Sequence, residues 1–339
     1  MVKCAVIGGS GYIGGELIRL LAGHPHTQLV AVTGRETVGK QLGDVHPHLA
    51  SLNLTINPLA EVEDAEVVFL ALPNGEAMKQ WSEGIAEIAK THTVIDTSAD
   101  FRLQDRKTFE QFYRTEHPCF GSVKQFVYGQ PELFAEQIRE ARLVASPGCF
   151  ATAVILALYP LAAAGLIDHA VVNAVTGSSG SGIKVKEKTH HPFRMDSFYA
   201  YEPFVHRHIP EIKQAIFFRT GHNVDFVFQP HSGPFVRGIF VTAVVTMPKD
   251  YTTAELQNLY RELYESKPFV RFTDHSPNVK FVRGTNFCDL SIKSNGHHVI
   301  VMAAIDNLVK GGAGQAVQSF NLMKGFDETT GLMALPTIP

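Results

Sequence analysis

Apolar and polar positions follow two textures along the chain. In the first half, short unbroken apolar runs alternate with stretches of helical spacing. Residues 3–7 read as a strand, 13–23 as a helix, 28–33 as a second strand and 67–72 as a continuous apolar strand. A helix is expected over 75–90, and further short strands over 93–96 and 143–146. Unbroken apolar strands separated by helices are covered on both faces, which predicts a parallel sheet.

Beyond residue 149 the texture changes. Residues 151–164 have a helical apolar pattern that Pro160 is expected to kink or end. Strands are expected over 170–176, 225–229, 238–246, 287–293 and 298–305. Several of them alternate with period two: Phe240, Thr242, Val244 and Thr246 lie opposite Ile239, Val241, Ala243 and Val245. Such strands suit an antiparallel or mixed sheet. Thr252-Thr253-Ala254-Glu255 is a capping-box start for a helix, and a last helix is expected over 314–324. No repeat or low-complexity linker interrupts the chain. The expected domains are 1–148, 149–305 and a segment 306–339 that returns to the first, with the active site in the cleft between domains.

A chain of 339 residues, 45% of them hydrophobic, is long enough for two cores. No apolar run approaches the roughly 18 residues of a membrane span. A net charge of −3 argues against a general nucleic-acid binder and leaves anionic substrates to local cations. The chain enters a strand at once, so no secretory leader is expected, and the expected location is the cytoplasm. Cys4, Cys119, Cys149 and Cys288 contain no C-x-x-C pair and are expected as free thiols. Cys4 and Cys288 lie in strand-like stretches and read as structural.

The loop Gly8-Gly9-Ser10-Gly11-Tyr12-Ile13-Gly14-Gly15 follows a strand and opens a helix. Gly8, Gly11 and Gly14 make a variant dinucleotide fingerprint: glycines admit the pyrophosphate and the helix start supplies N–H donors. This predicts an α/β chain, a Rossmann-type doubly wound parallel sheet joined to an α+β catalytic domain with a mostly antiparallel or mixed sheet. An NAD site places a carboxylate at the end of the second strand. Here Thr33-Gly34-Arg35 stands there, and an arginine suits a 2′-phosphate, so the expected cofactor is NADP(H). The alternative for Arg35 is a solvated surface charge next to Glu36.

Cys149 follows an apolar strand and a Ser146-Pro147-Gly148 turn and opens the next helix. The helix N-terminus favours a thiolate, and a thiolate at a strand's carboxyl end can form a thioester that a reduced nicotinamide reduces. Most cysteines are only small buried hydrophobes, and position is what separates this one. Proton transfer points to His206 and His208, with Glu211 able to orient an imidazole. No partner at metal-site spacing accompanies them, so no metal is expected. His46, His48, His190 and His191 read as loop or rim residues, and His231 as a second-tier site residue. Two stretches suit anions. The N–H groups around Ser179 and Gly180 in Gly177-Ser178-Ser179-Gly180-Ser181-Gly182 could form a nest. Arg102, after Ser98, either binds a phosphate or pairs on the surface with Asp100 or Asp105.

These residues resemble the N-acetyl-γ-glutamyl-phosphate reductases, relatives of the aspartate-semialdehyde dehydrogenases, over nearly the whole chain. The signatures are the glycine loop, Leu70-Ala71-Leu72-Pro73, 98–103, Tyr128-Gly129-Gln130-Pro131-Glu132, Pro147-Gly148-Cys149, His206-Arg207-His208 with Pro210-Glu211-Ile212, and Asp306-Asn307-Leu308-Val309-Lys310-Gly311. The resemblance implies NADP-dependent reductive dephosphorylation of an acyl phosphate in arginine biosynthesis, with Cys149 as nucleophile and the histidines for proton transfer and substrate binding. It implies Leu72, Pro73, Ser98, Asn307 and Gly311 beside the nucleotide, and a homotetramer or homodimer.

The chain departs from the family at Ser146, Phe150 and Ala151, where Asn, Tyr and Pro are usual, and at Asn74, where His is common. A sister group reduces an aminoadipyl or glutamyl phosphate held on an acidic carrier protein, and Lys184, Lys186 and Lys188 either meet such a carrier or form a solvated loop. A different class, a non-catalytic NADP-sensing regulator, has no need of the thiol and histidine set.

Overall fold

In the computed structural model, which describes residues 1–62 and 64–338, seven parallel strands form the first sheet. They are β1 (Val2–Ile7), β2 (Thr27–Thr33), β3 (Ile56–Asn57), β4 (Val67–Leu70), β5 (Thr93–Asp96), β6 (Val127–Tyr128) and β7 (Leu143–Ala145), in the order β3-β2-β1-β4-β5-β7-β6. Every residue of β4 is buried, as the unbroken apolar run requires. Helix α1 (Tyr12–Ala22) crosses from β1 to β2. The helix Gly314–Met323, distant in sequence, packs against α1 and the helix Pro131–Glu140.

The single helix expected over 75–90 is broken. Glu76–Gln80 runs into a π turn, Trp81–Ile85, and then into Ala86–Thr91. Gly84 adopts φ 151°, which only glycine takes readily. The buried Trp81 lies tilted against Phe101 and Phe126 and donates to Ser122 Oγ at 3.0 Å.

The second sheet contains β8 (His169–Thr176), β9 (Tyr199–Ala200), β10 (Phe226–Ser232), β11 (Ile239–Thr246), β12 (Val270–Phe272), β13 (Cys288–Asn295) and β14 (His298–Ile305), in the order β12-β13-β14-β11-β8-β10-β9. It is mixed: β8–β10 and β12–β13 are parallel and the other neighbours antiparallel. Period two in β11 turns Ile239, Val241, Ala243 and Val245 inward. They face α2 (Cys149–Ala163), which packs on β11 and β14 and is apolar all round, as a fully enclosed helix is.

Pro160 does not end α2, which continues to Ala163. Proline removes the N–H that would reach the carbonyl of Leu156. Tyr264 Oη donates to that carbonyl at 2.8 Å, and Tyr260 Oη to the carbonyl of Ala157 at 2.5 Å. Both tyrosines lie on α4 (Thr253–Tyr264), whose Thr252–Glu255 capping box forms as its sequence predicts; the helix between, α3 (His208–Thr220), also packs on α2.

The chain divides into two units, Met1–Gly148 with Gly312–Met333, and Cys149–Gly311 with the tail from Ala334. Residues 306–311, expected in the returning segment, group with the second unit. Among the described residues no helix is long and apolar enough to cross a membrane.

Candidate active site

In the first unit the glycine loop is drawn tight between β1 and α1. Gly8 and Gly9 N–H donate to the carbonyl of Thr33 at 3.1 and 3.0 Å. A β-carbon at Gly14 would lie 2.4 Å from the Gly8 oxygen, and one at Gly8 would lie 2.6 Å from the Ala71 oxygen and 3.2 Å from the Leu72 side chain. Only glycines permit this approach, and it leaves Ser10 and Gly11 part-exposed and Tyr12 exposed at the start of α1, with Ile13 following. Arg35 projects from the end of β2, and its guanidinium meets Glu76 at 3.3 Å, not the neighbouring Glu36.

Behind the strand ends lies a buried polar network. The carboxylate of Asp96 accepts from Ser98 N at 3.0 Å and Ser98 Oγ at 2.7 Å. Burial, then the Asp100 charge beside it, push the Asp96 carboxyl up to about 7. Asp100 accepts from Gly75 N at 2.8 Å and Met78 N at 2.9 Å at the start of a helix. Arg102 is buried and donates to the carbonyls of Ser146 at 2.6 Å and Thr97 at 2.9 Å. Arg102 is therefore not a surface charge: its positive charge favours the ionised forms of the buried Asp96 and Asp100, while Asp105 caps the helix Arg106–Tyr113.

In the second unit Cys149 is the first residue of α2 and is half-buried. Phe150, next in the chain, meets the rings of His206 at 5.6 Å, His208 at 6.1 Å and Phe228 at 5.5 Å, so the residue that departs from the family pattern is a wall of the histidine site. The imidazoles of His206 and His208 stand edge to face at 4.8 Å. His208 N–H donates to His206 Nδ1 at 3.2 Å, which leaves the ring proton of neutral His206 on Nε2. Burial, and secondarily the Arg207 charge, lower the His206 pKa to about 3, so it is neutral at physiological pH. His208 opens α3, and the fully buried Glu211 follows one turn later on the same face, where the helix start favours a carboxylate.

Sequence reasoning missed Tyr201. Its ring lies 5.8 Å from His206, and burial, with the Cys149 charge second, raises its hydroxyl well above the usual tyrosine range. The only signal was alternation in a short aromatic stretch. His231 is stacked on Phe198 at 5.4 Å. Arg194, also unremarked, is buried and donates to the carbonyls of Gly233 and Ser197.

The Ser-Gly loop does not form the expected nest. Gly177, Ser178 and Ser179 N–H donate to the carbonyls of Gly238, Phe235 and Val236, and Gly180 and Gly182 N–H close turns inside the loop. A nest needs unspent donors, and these are spent holding the loop on the connection between β10 and β11 and closing its own turns. Asn307 completes the tie: its Oδ1 accepts from Gly238 N at 2.7 Å and its Nδ2 donates to Ser179 Oγ at 3.0 Å. Next to it the buried Asp306 accepts from Leu308 N and Val309 N at 2.8 Å, Gly284 N at 2.6 Å and Arg237 Nε at 2.5 Å. This fixes the turn that brings Gly311 against Cys149. Among the described residues no group of three or more His, Cys, Asp or Glu side chains could hold a metal ion.

Residues 3–141 match the semialdehyde dehydrogenase NAD binding domain, and residues 149–307 the semialdehyde dehydrogenase dimerisation domain. The chain is 43% identical to the N-acetyl-gamma-glutamyl-phosphate reductase of Methanosarcina barkeri, over 100% of both chains. The chain belongs to the N-acetyl-γ-glutamyl-phosphate reductase family. It is also 40% identical to the [LysW]-L-2-aminoadipate 6-phosphate reductase of Deinococcus radiodurans, over 97% of this chain and 95% of that one. The fold is that of the aspartate semialdehyde dehydrogenases. The Vibrio cholerae enzyme complexed with ASA matches with a TM-score of 0.73 at 13% identity, over 96% of this chain and 98% of that one. The Candida albicans enzyme with NADP matches with a TM-score of 0.71 at 14% identity, over 96% and 99%. As a member of this reductase family, the chain is an oxidoreductase with an NAD(P)-binding domain, and the regulator reading is set aside.

Proposed function

We propose that the chain reduces N-acetyl-L-glutamyl 5-phosphate to N-acetyl-L-glutamate 5-semialdehyde with NADPH, releasing phosphate, as a step of arginine biosynthesis. The observation that carries this is Cys149 at the N-terminus of α2, with Phe150 packed on the His206/His208 pair, in a chain aligned end to end with a reductase of that name.

The residues present fit the cofactor: a β-carbon at Gly8 or Gly14 would collide with the Ala71 or Gly8 carbonyl, so glycines let the loop turn tightly and leave Ser10 and Gly11 part-exposed at the start of α1. Gly8, Ser10, Gly11, Tyr12, Ile13 and Gly14 hold the pyrophosphate, Thr33 and Arg35 the adenosine end with its 2′-phosphate, and Leu72, Pro73 and Ser98 flank the site. NADPH bound there supplies the hydride that reduces the acyl carbon. The Cys149 thiolate attacks that carbon, the bond to the phosphate oxygen breaks, and a thioester forms. After reduction the carbon–sulfur bond breaks, returning the thiolate and releasing the aldehyde. His208 takes the thiol proton, oriented by Glu211 on its own helix. Neutral His206, with its proton on Nε2, donates a hydrogen bond to the acyl oxygen. Arg102 steadies the strand-end loops through the Ser146 and Thr97 carbonyls, and the half-buried His231 lines the substrate side. The dimerisation-type domain supports a homo-oligomer as the working form.

Cys149→Ser is expected to abolish turnover and leave NADPH binding intact. Retained turnover would falsify the thioester route.

One observation favours a second substrate. Lys184 and Lys186 are exposed on one loop, and the Deinococcus relative is named for a substrate on LysW. The side chain of Lys188 lies outside the described residues. The reverse reaction, phosphate-dependent reduction of NADP, run with the free acetylated semialdehyde and with a carrier-bound one, separates the two readings.

A further inference from the structure

We propose that His46 is a positioning residue for the nucleotide, clamping the glycine loop from the segment that carries Arg35. The inference rests on the reading that this loop binds NADPH.

The segment 34–57 leaves β2 and returns as β3. It is closed on itself: Gly34 N–H donates to Asn57 O at 3.3 Å, Gly39 N–H to Ile56 O at 2.8 Å and Leu42 N–H to Leu54 O at 2.7 Å. A helical turn, Leu42–Val45, delivers His46 to the first-unit core, where it is 4% exposed. A loop histidine on the rim would be solvated, and this one is not. Its Nε2 lies 2.8 Å from the carbonyl oxygen of Gly9. A carbonyl can only accept, so Nε2 carries the proton.

Two consequences follow. The Gly9–Ser10 peptide is planar and trans, so fixing its carbonyl toward the imidazole turns the Ser10 N–H the opposite way. Gly9 N–H is held by Thr33 O, so Gly9 is fixed from both sides. The imidazole also lies over Gly15, where a β-carbon would come 2.8 Å from Cε1 and 3.1 Å from each ring nitrogen. Gly15 stands outside the spacing of Gly8, Gly11 and Gly14, and room for this ring accounts for it. Burial lowers the His46 pKa and keeps the imidazole neutral. A single side chain thus joins the pyrophosphate loop to the segment bearing Arg35.

The test is NADPH affinity by fluorescence titration on the full chain, with steady-state kinetics. His46→Leu is expected to raise the NADPH Kd and KM about tenfold, the worth of one lost buried hydrogen bond. The kcat at saturating NADPH and the KM for the acyl phosphate are expected to stay within about twofold. Gly15→Ala favours the helix by propensity yet is expected to weaken NADPH similarly, because its β-carbon displaces the ring. Gly15→Ala/His46→Ala is expected to bind no worse than His46→Ala alone, since the clash is gone. A parent that binds NADPH with His46→Leu or Gly15→Ala unchanged overturns the inference alone. Joint loss of kcat, both KM values and melting temperature marks general structural damage and also overturns it. A parent that binds no nicotinamide nucleotide overturns the nucleotide reading and this inference with it. If His46→Leu does not fold, the Gly15→Ala comparison decides.

Discussion

Gly311 lies directly against Cys149: a β-carbon at Gly311 would stand 2.7 Å from the Cys149 β-carbon and 3.1 Å from its α-carbon. Real β-carbons do not approach so closely, and neither neighbour is a flexible side-chain tip. The turn is held in turn by Asp306, whose carbonyl accepts from Gly311 N–H at 2.9 Å. The absence of a side chain at Gly311 is therefore a condition for where the thiol sits.

Gly311→Ala is expected to push Cys149 out of place. A misplacement of about 1 Å costs on the order of a hundredfold in rate. We expect kcat to fall by about that factor and the alkylation rate of Cys149 to change with it. Activity within twofold of the parent would remove the packing argument.

Arg35 pairs with Glu76 at an exposed position, and such pairs are weak and easily exchanged for a phosphate. Arg35→Ala is expected to raise the KM for NADPH at least tenfold, the cost of a lost charge-assisted bond, and leave that for NADH nearly unchanged. Equal effects on both coenzymes would remove the 2′-phosphate role.

The pH dependence of stability has a defined sign at His206. Its folded pKa, about 3, lies below the ordinary histidine value of 6.5. Unfolded chains therefore bind a proton that folded chains refuse as pH falls below 6.5. Stability is lost from there down toward pH 3, at up to about 1.4 kcal/mol per pH unit from this group. Urea denaturation at pH 7 and pH 5 is expected to give a smaller loss in His206→Asn than in the parent. The same loss in both would assign the acid limb to other groups.

Asp96 has the opposite sign. Its folded pKa is raised from 3.8 to about 7, so its protonated form contributes stability that is present below 3.8 and lost as pH rises through 7. Asp96→Asn is expected to gain more in melting temperature at pH 8 than at pH 5. A uniform gain would mean that the carboxylate is not the titrating group.

Tyr264 Oη reaches the Leu156 carbonyl that Pro160 leaves without its helical donor. Tyr264→Phe is expected to cost about 1–3 kcal/mol, the penalty for a buried unsatisfied carbonyl, and to cost less in a Pro160→Ala background. Chemical denaturation of the four proteins measures the coupling, and strict additivity would rule out the compensation.

By itself the sequence determined the period of each long element, the glycine loop between β1 and α1, and the place of Cys149 at a helix start. These are local properties: apolar period, the missing β-carbon of glycine and the polarity of a helix end act within a few residues. Only the tertiary structure decided what depends on distant partners. Pro160 was expected to kink or end a helix, but the Leu156 carbonyl it orphans is answered by a tyrosine about a hundred residues away. The Ser-Gly loop was expected to offer free amides, but Phe235, Val236 and Gly238 take them up. His46 was read as a loop or rim residue, and its place under the glycine loop depends on a bond to Gly9 across 37 positions. A hydrogen-bond donor is committed by whichever acceptor the fold brings to it, and no local spacing specifies that acceptor.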